Sequence, residues 1–233
     1  MSIAERVKTV FDEIGAAALR SGRRPEEITL VAASKTKPAA EIREAILAGV
    51  RAVGENRCQE LVTKRAENAY EGASLHFIGH LQQNKLKYLV GAAELIHSVD
   101  SEALLTDIER TAEKRGLVQD ILLQVNIGGE ESKGGIAPER LSELCQLAGT
   151  LPHVRLRGLM AIPPVRTGGE KYPYFSAMYR LFVDMAGKKY DNVSMDILSM
   201  GMSADYAEAI SEGATMVRVG SAIFGARNPP FPQ

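Results

Sequence analysis

The stretch ITLVAASKTKPAAEIREAILAGVRAVGEN, residues 28–56, sets two short apolar runs around a longer mixed one. Ile28 to Ser34 is rich in aliphatic residues with little polar alternation, the pattern of a strand whose two faces are both covered. After Pro38 the chain reads as a helix, with proline near the first turn, where its missing N–H costs nothing. Arg51 to Gly54 then reads as a second strand. Strand, helix and strand in this order form parallel neighbours joined by a right-handed crossover.

Working outward, the same alternation continues to the end of the chain. Further strands are expected at Leu75 to Gly79, Leu95 to Val99, Asp120 to Asn126, Val154 to Met160, Val193 to Met200 and Thr215 to Gly220. Helices are expected from about Arg57 to Tyr70, and from Ser101 to Arg115 with Ser101 as N-cap and Leu104, Leu105 and Ile108 on one face. Others are expected over Pro138 to Gly149, Tyr174 to Ala186 and Ser203 to Glu212. Such alternation suits a closed barrel or a doubly wound sheet, and periodicity does not separate them. Eight strands in 233 residues favour a single TIM-type (β/α)8 barrel, which takes roughly 250 residues. Ile3, Val7, Val10, Phe11 and Ile14 form one helical stripe ahead of the first strand, an extra N-terminal helix. Residues 1–233 read as one domain, ending in a proline-rich extended tail from Asn228 to Gln233.

Composition narrows the class. Hydrophobic residues are 45%, charged residues 24% and the net charge is -1. This is an ordinary globular mix without the basic excess that a nucleic-acid binder uses against phosphates. Cys58 and Cys145 stand alone, outside any metal or disulfide spacing. Charges at Glu5, Arg6, Lys8, Asp12 and Glu13 break up the N-terminus as a secretion signal, and no window has the apolar run of a membrane helix. A cytoplasmic protein is expected, with no nucleic-acid or membrane partner.

In a TIM barrel the chemistry lies at the C-terminal ends of the strands. Strand one ends in Ser34-Lys35-Thr36-Lys37. A lysine at the partly desolvated mouth has a lowered pKa, and its neutral amine can attack an aldehyde to form an imine. A rim lysine that reaches solvent is the competing reading, and Lys37 is expected to be the solvated one of the two. The segment VRVGSAIFG, residues 217–225, follows strand eight. Gly220 permits close backbone approach, and the Gly220 and Ser221 N–H groups open a short helix where an anion could bind. Ser199 and Ser203 could add hydroxyls from strand seven. A tightly packed small-residue turn is the alternative. His76 and His80 lack the HExxH pattern of a metal site and read as structural or rim residues. The loop NIGGEESKGGI, residues 126–136, lacks P-loop spacing and reads as a mobile rim loop. An amine on strand one and a phosphate cradle after strands seven and eight suit a flat ring carrying an aldehyde and a phosphate. Pyridoxal 5′-phosphate (PLP) is such a molecule.

The segments LVAASKTKP, AVGENRCQEL, LHFIGHLQQNK, IHSVDS, LLQVNIGGEESKGGI, LRGLMAIPP and LSMGMSADYAEAISEGATMVRVGSAIFG occur in order along nearly the whole chain. Together they resemble the pyridoxal phosphate homeostasis protein family, itself similar to the N-terminal barrel of alanine racemase, the fold-type III PLP architecture. The resemblance implies a Schiff-base role for Lys35 and a place near the cofactor for Asn56. It implies phosphate binding by Ser199, Met200, Ser203, Gly220 and Ser221, and sets Arg218 opposite the pyridine nitrogen. It places His80 at the rim.

The resemblance further implies a protein that holds PLP and delivers it to PLP-dependent apoenzymes. A cation facing the ring nitrogen makes the ring a poorer electron sink. The racemase adds a second domain with a tyrosine base for the other ring face, and racemisation needs proton transfer on both faces. No efficient catalysis is therefore expected, Tyr206 is expected to pack in its helix, and a monomer is expected. A small PLP-dependent amino-acid racemase or aldolase is the alternative, and a cofactor-free aldolase using Lys35 is a third reading.

Overall fold

In the computed structural model, residues 1–130, 134–164 and 173–225 are described. The expected tail from Asn228 to Gln233 and the middle of the 126–136 loop lie outside them. The strands are β1 (Thr29–Ala33), β2 (Ala52–Glu55), β3 (Ser74–Phe77), β4 (Leu95–Val99), β5 (Gln119–Val125), β6 (Val154–Ala161), β7 (Val193–Ser199) and β8 (Met216–Val219). They close in sequence order into a barrel, with β8 pairing back to β1 in parallel register, Leu30 opposite Val217 and Val31 opposite Arg218. The TIM-type barrel is therefore the fold, and closure removes the open edges that a doubly wound sheet would leave.

The helices are α1 (Ile3–Arg20), α2 (Ala39–Leu47), α3 (Cys58–Ala66), α4 (Leu86–Leu89), α5 (Glu102–Glu113), α6 (Leu141–Gly149), α7 (Tyr174–Ala186), α8 (Tyr206–Ser211) and α9 (Ser221–Phe224). Ser101 caps α5, its hydroxyl accepting from the Leu104 N–H. Pro138 stands in a single 3-10 turn before α6 rather than in its first turn. The expected Arg57–Tyr70 helix stops at Ala66, because Asn68 turns left-handed at φ 53°. The one-turn α4 was not expected, being too short to show a period.

The extra helix α1 begins in a capping box of Ser2 and Glu5 and packs against α2, α8 and α9. Its buried stripe is Ile3, Val7, Val10, Ile14, Ala17 and Ala18. Phe11 falls at the edge of that stripe and stays 38% exposed, contrary to expectation. Tyr206 packs as expected, its hydroxyl donating to Glu13 on α1.

Burial divides into two sets. Most of the core lies between strands and helices, while Val31, Ala52, Leu95, Leu122, Met160 and Met216, with Ile197, form a separate cluster inside the barrel. Strand side chains alternate faces, so residues two positions further toward the C-terminal mouth also point inward. That next layer is Ala33, Gly54, His97, Gln124, Ser199 and Arg218, and the last four are buried and polar or charged. Cys58 and Cys145 are buried and free. Among the described residues no helix is long and apolar enough to cross a membrane.

Candidate functional site

A cavity of about 400 Å³ opens at the C-terminal mouth. Of the residues singled out from the sequence, Lys35, Asn56, Ser203, Arg218, Gly220 and Ser221 line it. They come from the ends of β1, β2, β7 and β8, brought together only by closure of the barrel. Ile78 and Ile162 add apolar wall, and Phe224 and Gly225 close the α9 side.

Lys35 is half-buried, and the backbone on both sides of it is clamped. On one side, Lys64 Nζ donates to the Ser34 carbonyl at 3.0 Å. On the other, the Thr36 N–H donates to Glu60 Oε2 at 2.7 Å, with Thr36 in the left-handed region at φ 64°. The same ammonium reaches Glu55 at 2.8 Å and Glu60 at 3.1 Å. Ser34 and Tyr70 both donate to Glu55 Oε1, at 2.5 Å and 3.1 Å. Burial, reinforced by the Glu55 charge, drives the Tyr70 hydroxyl far above its ordinary pKa, so it stays a donor. A β-branched residue at positive φ is strained, and the paired ions hold it there.

Lys37 departs from expectation. Its side chain is only 10% exposed and lines the cavity, with Nζ donating to the Phe224 carbonyl at 2.8 Å and lying 3.6 Å from Glu41. The left-handed Thr36 turns the chain back so that Lys37 meets α9 instead of solvent. Ser199 and Met200, expected on the phosphate side, are set back from the cavity. The Ser199 hydroxyl is enclosed beneath Arg218, and Met200 is fully buried in the core between strands and helices, so neither lines the cavity. His80 is exposed at the rim near Asp100, whereas His76 is buried inside the barrel.

On the β8 side, Ser203 Oγ accepts from the Gly220 N–H at 3.1 Å and the Ala222 N–H at 3.4 Å. Its own O–H thus remains available to an acceptor. A Cβ on Gly220 would stand 3.2 Å from the Ala33 carbonyl, a tight contact that glycine avoids where this turn closes against β1. The case is stronger at Gly79, where a Cβ would fall 2.0 Å from the Asn56 carbonyl. The glycine after β3 therefore sets where Asn56 sits.

Two groups in the wall lack what burial demands. Asn56 Oδ1 is buried without a hydrogen-bond partner. Arg218 is buried, and its acceptors among the described residues are neutral, Ser199 Oγ at 2.7 Å and the Ala161 carbonyl at 2.8 Å. Desolvation lowers its pKa to about 10, so it remains a cation at neutral pH. An orphaned acceptor and a buried cation hydrogen-bonded to neutral groups, beside a half-buried amine, suit a polar, anionic, flat ligand. Among the described residues the lining holds no histidine, tyrosine or carboxylate. The loop expected to be a mobile rim has its described ends tied to β5, through Asn126 N–H to the Ile136 carbonyl at 2.9 Å and Gln124 Nε2 to the Gly134 carbonyl at 2.6 Å.

Comparison with known proteins accords with this geometry. The family model described as "Alanine racemase, N-terminal domain" matches residues 17–228. A pyridoxal phosphate homeostasis protein of Aquifex aeolicus is 45% identical over 97% of this chain and 99% of its own length. One of Escherichia coli K12 is 46% identical over 97% of each chain. The structure of PipY of Synechococcus elongatus with PLP bound is 38% identical over 96% of this chain and all of its own, at TM-score 0.82. An alanine racemase of Clostridium difficile shares the fold at TM-score 0.71 and 16% identity, this chain covering 58% of it. With its closed eight-stranded barrel, strand-end lysine and nearly full-length matches, the chain belongs to the pyridoxal phosphate homeostasis protein family, on the barrel of the alanine racemase N-terminal domain.

Proposed function

We propose that this protein binds PLP in the C-terminal cavity, holds it reversibly on Lys35, and buffers or delivers it within the cell rather than turning over a substrate. The observation that carries the reading is the convergence of Lys35, Arg218, Asn56 and the Gly220–Ser221 turn on one cavity. When bound, PLP supplies an aldehyde for an amine, a phosphate for a donor cradle and an electron-withdrawing ring.

The chain's own groups match these parts. The ion-clamped backbone presents the Lys35 amine from a fixed origin. Ser203 offers an O–H and the start of α9 the Ser221 N–H, both suited to phosphate oxygens, while the Gly220 and Ala222 N–H groups hold Ser203 in place. Asn56 brings a carboxamide to a dry wall. Arg218 keeps its protons at neutral pH, so it can donate to a ring nitrogen without protonating it. That restrains the ring as an electron sink. Apart from its two lysines, the described lining offers no histidine, tyrosine or carboxylate that could serve as a base on a second face. Both features support a carrier over a racemase. PLP-dependent apoenzymes are the recipients this reading calls for, and a monomer is its simplest assembly, which light scattering checks.

Borohydride reduction followed by intact-mass and peptide mapping tests the proposal. The wild type should carry a pyridoxyl group on Lys35, and Lys35→Ala should lose it. An unchanged adduct in Lys35→Ala ends the assignment. Exchange of amino-acid α-protons in D2O at turnover rates would favour the racemase.

A further inference from the structure

A continuous polar chain runs through the barrel from the cavity to the opposite mouth. Arg218 donates to Ser199 Oγ at 2.7 Å, and Ser199 Oγ lies 3.1 Å from His97 Nδ1. His97 Nε2 lies 3.0 Å from His76 Nδ1, and His76 Nε2 lies 3.1 Å from Ser74 Oγ. Ser74 Oγ donates to the Arg51 carbonyl at 3.3 Å, where β3 begins. Ser199 and His97 are fully buried and His76 nearly so, so no bulk water substitutes for a missing partner.

The direction of every bond follows from counting protons. Arg218 can only donate, so Ser199 Oγ is its acceptor. The Ser199 O–H then has one place to go among the described residues, His97 Nδ1. If His97 carried its proton on Nδ1 instead, the Ser199 hydrogen would be buried without an acceptor, at a cost of about 1–3 kcal/mol. With Nδ1 unprotonated, a neutral His97 carries its proton on Nε2 and donates to His76 Nδ1. His76 in turn carries its proton on Nε2 and donates to Ser74, which passes its own to the Arg51 carbonyl. Every donor meets an acceptor in this sense alone. Burial depresses both imidazole pKa values, His76 to about 4 and His97 well below its ordinary range, with the neighbouring ring and Arg218 adding to the effect on His97. The rings are therefore neutral, as the count requires.

We infer that Ser199, His97 and His76 are positioning residues for the ligand site, their one-way chain of donors holding Ser199 as an acceptor and so fixing the Arg218 guanidinium at the cavity wall. The inference rests on the reading that the cavity takes PLP with its ring nitrogen toward Arg218. Two of the guanidinium N–H groups are committed, to Ser199 and to the Ala161 carbonyl, and among the described residues the others remain for a ring acceptor. Reversing His97 would turn its Nδ1–H toward the Ser199 O–H and leave that hydrogen without an acceptor, and reversing His76 alone would set its Nδ1–H against the His97 Nε2–H.

Two measurements decide it. The first is 15N NMR of the histidine rings in ligand-free wild-type protein near pH 7. His97 and His76 should both be neutral with the proton on Nε2. A charged ring, or a proton on either Nδ1, overturns the chain without need of a variant. The second compares binding of PLP with its 1-deaza analogue, in which C–H replaces the ring nitrogen. Ser199→Ala should weaken PLP about tenfold and the analogue by less than about twofold. Equal losses for both ligands, or none for PLP, overturn the positioning role. If Ser199→Ala does not fold, Ser199→Thr keeps the hydroxyl and should keep the wild-type ratio of the two affinities, and a collapse of that ratio overturns the role. Wild-type protein that binds neither ligand ends the PLP reading itself. Expected tautomers with equal losses end only the role inferred here.

Discussion

Single residues in this barrel carry charge where charge is costly. Lys64 is 8% exposed and serves Glu55, Glu60 and the Ser34 carbonyl at once. Removing one partner of a buried ion pair leaves the others uncompensated. Lys64→Met should destabilise the protein by about 3 kcal/mol in urea unfolding, and should loosen the backbone around Lys35. The buried histidines make a second prediction. His76 has its pKa held at about 4 by desolvation, against about 6.5 in an unfolded chain. Between these values the unfolded chain binds the extra proton, so stability is present above about pH 6.5 and is lost as pH falls toward 4. His76 alone should remove about 3 kcal/mol over that window, with His97 adding to it. Unfolding curves at several pH values check this, and His76→Gln should flatten the dependence.

Elements are placed by contacts that tolerate no added atom. A methyl on Gly79 would collide with the Asn56 carbonyl at 2.0 Å, and neither β2 nor β3 can retreat without breaking its pairing. Gly79→Ala should cost about 2 kcal/mol or more and weaken PLP binding through displaced Asn56, as calorimetry and ligand titration would show. At the outer layer, α1 is held to the barrel by its buried stripe and by Arg6 and Arg23, whose guanidinium groups donate to the Ile223 and Ala214 carbonyls. Its start depends on the Ser2 and Glu5 capping box. Ser2→Ala should cost about 1 kcal/mol in thermal unfolding and leave ligand affinity unchanged, because the cap lies outside the cavity lining.

On the scale of the molecule, the site exists only because β1 and β8 pair and close the sheet. A ligand that binds the closed barrel and not the unfolded chain stabilises it by mass action, by about 2.7 kcal/mol at a hundredfold excess over Kd. For a chain of this size that should raise the Tm by roughly 5–10 °C. Lys35→Ala should remove most of the rise, and a rise of equal size in that variant would argue against the covalent hold.

The strand and helix order, the eightfold count and the strand-end position of Lys35 were legible because they are local. Continuous apolar runs mark strands covered on both faces, and the residue after such a run stands at the mouth of a barrel. The flanks of Gly220 were legible for the same reason. The inward polar layer was not, because His97, Ser199 and Arg218 sit two residues beyond apolar members of the same strands, and their partners lie on strands up to 102 positions away. Lys37 was misread because the Phe224 carbonyl on α9, 187 positions away, meets it only in the closed barrel, with Thr36 turned left-handed. Sequence alone determined which elements form and which lysine they present, since hydrophobic period and chain order act over a few residues. Only the tertiary structure decided which polar groups are buried together and in which direction their protons point, since those depend on strands far apart in sequence meeting inside one closed barrel.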